Sequence, residues 1–502
     1  MDLFNNSPLK ILTFIFLLSL IPSNQLCANT GSDSTSYSIS INKNNIKKAI
    51  VECIVKIEDS SLFMSSIGAN QFPNRWANFI HELKATTPEG KPVELKSLDG
   101  AKWKVHVSDG SYVKLHYEVH LDHEEHEWSG GVDGAAYARK WGVFYTGRSV
   151  FIMSGKEKQH IKVRFYLPEI WKVSSPWRII ENQGNSYLID NLTSLTDSMF
   201  FAGTHEEIIL IRDDFQLIFA LGGDEIVKQK ESFSKMATGV LDYYIDLMEG
   251  VPNPSPDNKF SKSIVVINSS SKTDGEVIGN NISILLEKDG DEMSELIGRF
   301  IFAHEFFHLW SGKSFAPLND DCEWFKEGFA NYYTLKSLFH IGYLNKESYL
   351  KVLNDFFYQR YITDKGTGKL SMIDGALKHD HWGLIYSGGF FIGISQDMLI
   401  RSSTANQSSI DDVMRILFKK YGGTNEGYTL SELQKLMSEA SGKDQTAFFN
   451  TYIQGVAKIP LDHYLNMGGF DAIEENGKLL VSLKKDAIPT EKQISDGLFG
   501  IK

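Results

Sequence analysis

Residues 304–308 read His-Glu-Phe-Phe-His, and 18 further residues, 309–326, separate His308 from Glu327. No other pattern constrains the fold as much. Two histidines four apart on a helix share one face, so one metal ion can take both imidazoles. Ahead of them Met293, Leu296, Ile297, Phe300 and Ile301 recur at helical spacing, with Asp289 or Asp291 as cap. This predicts a helix over roughly 291–312. Asp320 and Asp321 then cap a second helix that runs through Glu327 to His340, with Gly342 as its stop. The spacing lets that helix return antiparallel and offer Glu327 as a third ligand. Two imidazoles and a carboxylate leave the fourth position of a zinc ion open for water, as in catalytic sites. Glu305, between the histidines, can reach that water. A buried helix with hydrogen-bonded histidines is the plainer alternative, and it leaves the second helix unexplained.

A structural zinc would close its shell, usually with cysteines. The chain has 3 Cys, and Cys27 falls in an N-terminal address segment. There, Lys10 precedes an apolar run from Ile11 to Ile21, too short to span a bilayer but suited to a signal-peptide core, with cleavage expected after Ala28. The remaining Cys53 and Cys322 lie far apart and are expected as free or buried thiols. No later segment reads as a membrane span, so an exported, soluble protein, periplasmic or secreted, is expected. With 502 residues, 42% of them hydrophobic, the chain can bury the cores of two or three domains. A net charge of −12 argues against nucleic acid and anionic lipid as partners.

From 36 to 222 the pattern alternates as in strands: 37–41, 102–107, 113–119, 161–166, 208–211 and 215–220. An antiparallel β domain is expected here, walling one side of a cleft. His116, His120, His123 and His126 cluster within it, but strand alternation and solvated Glu124 and Glu125 favour a polar face over a second metal site. A helix over 231–248 and strands over 263–267 and 282–286 follow. The last of these, just before the metal helix, is expected at the cleft edge, where an extended peptide can add itself as a strand. Residues 343–460 read as helical, for instance 411–421 and 430–441.

The runs His304-Glu305-Phe306-Phe307-His308-Leu309-Trp310 and Trp324-Phe325-Lys326-Glu327-Gly328-Phe329 resemble the gluzincin metallopeptidases. Within these, the chain is similar to the glycyl aminopeptidase family, related to aminopeptidase N and leukotriene A4 hydrolase. Leu195 to Gly203 and Trp171-Lys172-Val173 resemble it too, so the likeness covers roughly 45–470. It implies an α+β multidomain fold with an N-terminal antiparallel β domain (36–222) and a thermolysin-like, mainly helical zinc catalytic domain (223–460). Ile385-Tyr386-Ser387-Gly388-Gly389 resembles the family's Tyr-x-x-Gly element, which implies that Tyr386 donates to the oxyanion. His379 and His381 read equally as pocket or surface residues, and Asn331 as a support for a ligand or part of a polar face. The family's Gly-Gly-Leu-Glu-His segment, whose glutamate holds the substrate amine, is matched through Val277-Ile278-Gly279, with Glu276 out of register. Glu323 is the other acid that could serve. The family's PDZ-like module finds no room in 461–502, read as a short tail.

The expectation is an exported peptidase acting on peptides or proteins through one zinc per chain on His304, His308 and Glu327. Glu305 is its general base and Tyr386 its oxyanion donor, with a weakened preference for free amino termini. The alternatives are a secreted peptide-binding protein that keeps the metal without turnover, and a non-peptide hydrolase on the same scaffold. The sequence leaves the oligomeric state open.

Overall fold

In the first half of the chain, apolar residues at every second position set the architecture. The strand Tyr112–His120 buries Val113, Leu115, Tyr117 and Val119 and turns His116, Glu118 and His120 outward. The computed structural model describes residues 35–121, 135–156 and 159–501. The expected signal segment 1–28, together with His123, Glu124, Glu125 and His126, lies outside these. An eight-stranded sheet runs in the order 178–179, 186–191, 159–166, 36–42, 45–56, 112–120, 80–86, 92–93. One of its pairs departs from the expected antiparallel pattern: 36–42 lies parallel to 159–166. A four-stranded sheet (172–174, 199–203, 142–146, 137–139) shares a core with it around Tyr37, Val51, Tyr117, Tyr145 and Phe200.

Residues on the other face of the four-stranded sheet, among them Tyr137, Phe144 and Phe201, pack on Ile218, Ile264, Val266 and Ile278 of a third sheet. That sheet has the order 206–212, 215–222, 262–270, 281–287, 274–278, so the boundary expected at 222/223 falls inside it. The strand 215–222, antiparallel to 206–212 and parallel to 262–270, is apolar on both faces, as a strand buried on both sides must be. The cleft edge is also revised. The strand 281–287 is paired on both sides, and 274–278 forms the edge. A tight turn through Gly279-Asn280 joins these two. Gly279 has φ +63°, and a Cβ there would lie 2.5 Å from the Asp197 carbonyl, so only glycine fits.

Helices cover the opposite face. The His helix, Glu292–Phe307, starts where the Asp291 carboxylate accepts from Ser294 N at 2.9 Å. It ends at Phe307, short of the expected 312, because Ser311-Gly312 turns the chain. The Glu helix, Glu323–His340, returns beside it and is buried along nearly its whole length. It packs on Gly388–Ser403, the continuation of a helical segment that starts at 383. Contrary to the sequence reading, the segment 383–403 is long and apolar enough to cross a membrane; here it is a core helix, apolar all round because protein surrounds it. The C-terminal residues are likewise no appendix. A hairpin (470–475, 478–483) and a helix, Pro489–Leu498, bury Phe470, Leu479, Ile494, Leu498 and Phe499 in the main core.

Candidate metal centre

Helical spacing brings His304 and His308 over one another on the last turn of the His helix, with their Nε2 atoms 3.3 Å apart. Glu327 approaches from the Glu helix, its Oε2 lying 3.2 Å from His308 Nε2 and 3.5 Å from His304 Nε2. One ligand atom from each of the three falls within 4.8 Å of the others. His308 Nδ1 lies 2.8 Å from the Ser311 carbonyl; donating there leaves Nε2 as a lone pair. The His304 ring stacks against Phe300 and Tyr386 at 5.9 and 6.3 Å between centroids. Burial opposes charge on Glu327, but His308 and His304 outweigh it and hold the carboxyl well below its usual range. Burial likewise opposes a proton on His308, and Glu327 outweighs it, raising that imidazole. Three electron-pair donors converging on one buried point is what a cation requires, and two imidazoles with one carboxylate match a catalytic zinc set.

The second oxygen of Glu327 faces lysines. Lys378 Nζ lies 3.2 Å and Lys326 Nζ 3.4 Å from Oε1, and the same two ammonium groups hold Glu323 at 2.5 and 2.7 Å. Sequence reasoning missed Lys378, which comes from a loop where His379 and His381 had drawn attention. His379 is exposed, and His381 pairs through Nδ1 with Asp364 at 2.9 Å. Lys378 arrives because Gly375 sits directly on the Asp320 backbone, where a Cβ would be 1.9 Å from the Asp320 carbonyl oxygen.

Tyr386 is brought in by a similar close approach. A Cβ on Gly328 would meet the Gly389 backbone at 2.2 Å, so the two helices touch main chain to main chain just beyond Glu327. A wide π-turn, 383–387, then presents Tyr386, stacked on Trp382 with ring centroids 5.0 Å apart. Asn331 Nδ2 donates to the Tyr386 carbonyl at 3.2 Å, so Asn331 supports the tyrosine and not a metal ligand. Burial and the charge of Glu327 raise the Tyr386 hydroxyl pKa, keeping it a proton donor.

Two cavities meet at this centre. The polar one, about 480 Å³, is lined by His308, Glu323, Glu327, Lys313, Lys326 and Asn280, among others. The apolar one, about 1030 Å³, is lined by His304, Ile297, Phe300, Val352, Phe356 and Trp382, among others. Glu305 and Tyr386 line both. The edge strand presents Gly275 and Val277 toward the His helix, with Gly275 against Ile301. Strand alternation turns Glu276 to the other face, where its charge is felt by Tyr137. In the β region, His116 lies 3.5 Å from Glu52, while His120 pairs with Glu118 at 2.7 Å and stacks on His81.

Residues 37–204 match the Peptidase M61 N-terminal domain, and residues 298–388 match the M61 glycyl aminopeptidase domain. Among solved structures, the fold is similar to that of an aminopeptidase N family protein from Idiomarina loihiensis. The TM-score is 0.72 at 17% identity, over 88% of this chain and 79% of that one. No curated protein matches the chain.

Proposed function

The chain belongs to the M61 glycyl aminopeptidase family of gluzincin peptidases, and on that premise we propose that it is an exported zinc metallopeptidase with Glu305 as general base. His304, His308 and Glu327 would hold one zinc ion, which when bound supplies a Lewis acid that acidifies water and polarises a carbonyl. The remaining chemistry belongs to this chain's own side chains. Glu305 takes the proton of the attacking water on its carboxylate and returns it to the leaving amine nitrogen. The Tyr386 hydroxyl donates to the scissile carbonyl oxygen as negative charge builds there. Lys378 and Lys326 occupy Glu327 Oε1, which leaves Oε2 directed at the histidines. Val277 on the edge strand and the apolar wall around Phe300 and Trp382 position an extended chain and keep bulk water from the reacting carbonyl.

The observation that carries this reading is the company Glu305 keeps. It lies between two ligands that converge on one point, its carboxylate makes no hydrogen bond or ion pair among the described residues, and both cavities open onto it. A binding protein without turnover has no use for such a carboxylate. Glu305→Gln should retain stoichiometric zinc and lose about 10²–10⁴-fold in peptide hydrolysis. Near wild-type turnover in that variant, or purified wild-type protein without zinc, would overturn the proposal.

A further inference from the structure

Two lysines, Lys313 and Lys326, line the polar cavity, and a third, Lys378, pairs with two of its acids. Lys326 and Lys378 share Glu323 and Glu327 at 2.5–3.4 Å. Lys313 is different. Among the described residues no carboxylate oxygen lies within 4.0 Å of its ammonium, and it makes no side-chain hydrogen bond. The acid whose charge reaches it, Asp197, is already held by Arg148 through Nε at 3.1 Å and Nη2 at 2.9 Å. The backbone of Lys313 is fixed relative to the centre: its N–H donates to the His308 carbonyl at 3.0 Å, and Gly312 N closes the turn on Phe315 O at 2.8 Å. Its side chain lines the polar cavity and also an adjoining one bounded by Asp197, Lys262 and Asn280, so it stands where the two join.

Lys313 stands exposed at the cavity rim, where Lys326 and Arg148 add like charge that Asp197 only partly offsets. An anion brought into the cavity would find that field favourable, and an ammonium would not. Of the acids lining the same cavity, Glu323 is enclosed by two lysines and Glu327 faces the histidines; Glu305 and Asp320 keep their charges, so the field that favours an anion is local to Lys313.

We propose that Lys313 binds a carboxylate of the substrate in the polar cavity, making it a specificity residue of the peptidase argued above. The carboxylate has two possible sources with the same chemistry, an acidic side chain near the scissile bond or the substrate's free C-terminus. This deepens the peptidase reading, and binding tests it apart from turnover. The protein to use is the full chain carrying Glu305→Gln, loaded with zinc and titrated calorimetrically. The probes are alanine-based hexapeptides with Glu or Gln at each position in turn, each made with a free and an amidated C-terminus.

At one position Glu should bind at least tenfold more tightly than Gln, or the free acid at least tenfold more tightly than the amide; which pair differs identifies the source. Adding Lys313→Gln should remove that difference while zinc content and affinity for the neutral peptides persist. Lys313→Arg should retain it. Equal binding within every pair, a difference that survives Lys313→Gln, or no binding at all overturns the proposal. If the difference depends on Lys313 but wild-type enzyme cleaves none of the peptides, the peptidase reading fails and the carboxylate site stands.

Discussion

One helix carries two charged clusters, and they differ in what is left over. Toward the end of the Glu helix, Lys336 is fully buried beside Asp397 and Asp411 at 3.4 and 3.5 Å. Asp397 also accepts from Tyr332 Oη at 2.6 Å, Arg401 Nε at 2.9 Å and Ile410 N at 3.1 Å. Its two oxygens are fully engaged, and the cluster ties three helices together. Toward the start of the same helix, Glu323, Lys326, Glu327 and Lys378 form a ring of similar make-up. There Glu327 Oε2 is aimed at two imidazole nitrogens and an open cavity. A functional charge is recognised by its unfinished side, since a structural cluster of the same residue types finishes every side.

The sharpest way to break this comparison is at the closed cluster. Asp397→Ala leaves Lys336 and Arg401 with only the more distant Asp411, at 3.5 and 3.8 Å, and should lower unfolding stability by about 3–5 kcal/mol in denaturant titration. A loss under about 1 kcal/mol would show that the cluster is not structural. The same group carries a pH signature. Burial opposes its charge, but Arg401 and Lys336 outweigh that and hold its pKa below the usual carboxylate range. Its folded pKa is depressed, so its contribution is complete above the unfolded value of about 3.9 and is lost as pH falls below that. The wild-type melting temperature should therefore drop through this acid range, with a smaller drop in Asp397→Asn.

At the open cluster the expected effects fall on rate. Tyr386→Phe removes one hydroxyl that no other residue engages among the described residues, and should lower turnover about 10²-fold, near 2.7 kcal/mol, with unchanged zinc content and melting temperature. Unchanged turnover would remove Tyr386 from the chemistry.

The smallest effect concerns the substrate amine. Because Glu323 is held by two lysines, and Asp274 and Glu276 share the strand face turned away from the centre, no carboxylate of the edge strand or the ring is placed for an ammonium group. N-acetylation of a peptide substrate should thus cost about tenfold or less in kcat/KM. A loss beyond about a hundredfold would mean that some carboxylate holds the amine, and that the open cluster is less committed than its geometry implies.

The parts legible in the sequence were those whose geometry is local. His304 and His308 meet because one helical turn separates them, and Glu327 follows on the next helix within a motif of fixed spacing. The strands 112–120 and 215–222 announce themselves by what they bury. Lys378 could not be read, because it lies 51 residues from Glu327 and reaches it through a glycine contact with Asp320. The edge strand 274–278 was obscured by Gly275 and Gly279, which weaken a strand pattern. One faces Ile301 too closely for a side chain and the other makes the turn, so both are parts of a hairpin. The C-terminal residues misled for a different reason. Phe470, Leu479, Ile494, Leu498 and Phe499 are too widely spaced to announce a core, and find their partners only in the helices before them.

The contact of Gly328 with Gly389 has a mechanical meaning. Side chains between helices act as springs, since rotamers can yield by a few tenths of an ångström; two backbones in contact act as a stop. Glu327 is one residue from that stop and Tyr386 three, so main-chain contact bounds how far the two can shift toward one another. Slack accumulated elsewhere in the molecule would be taken up before it reached this contact.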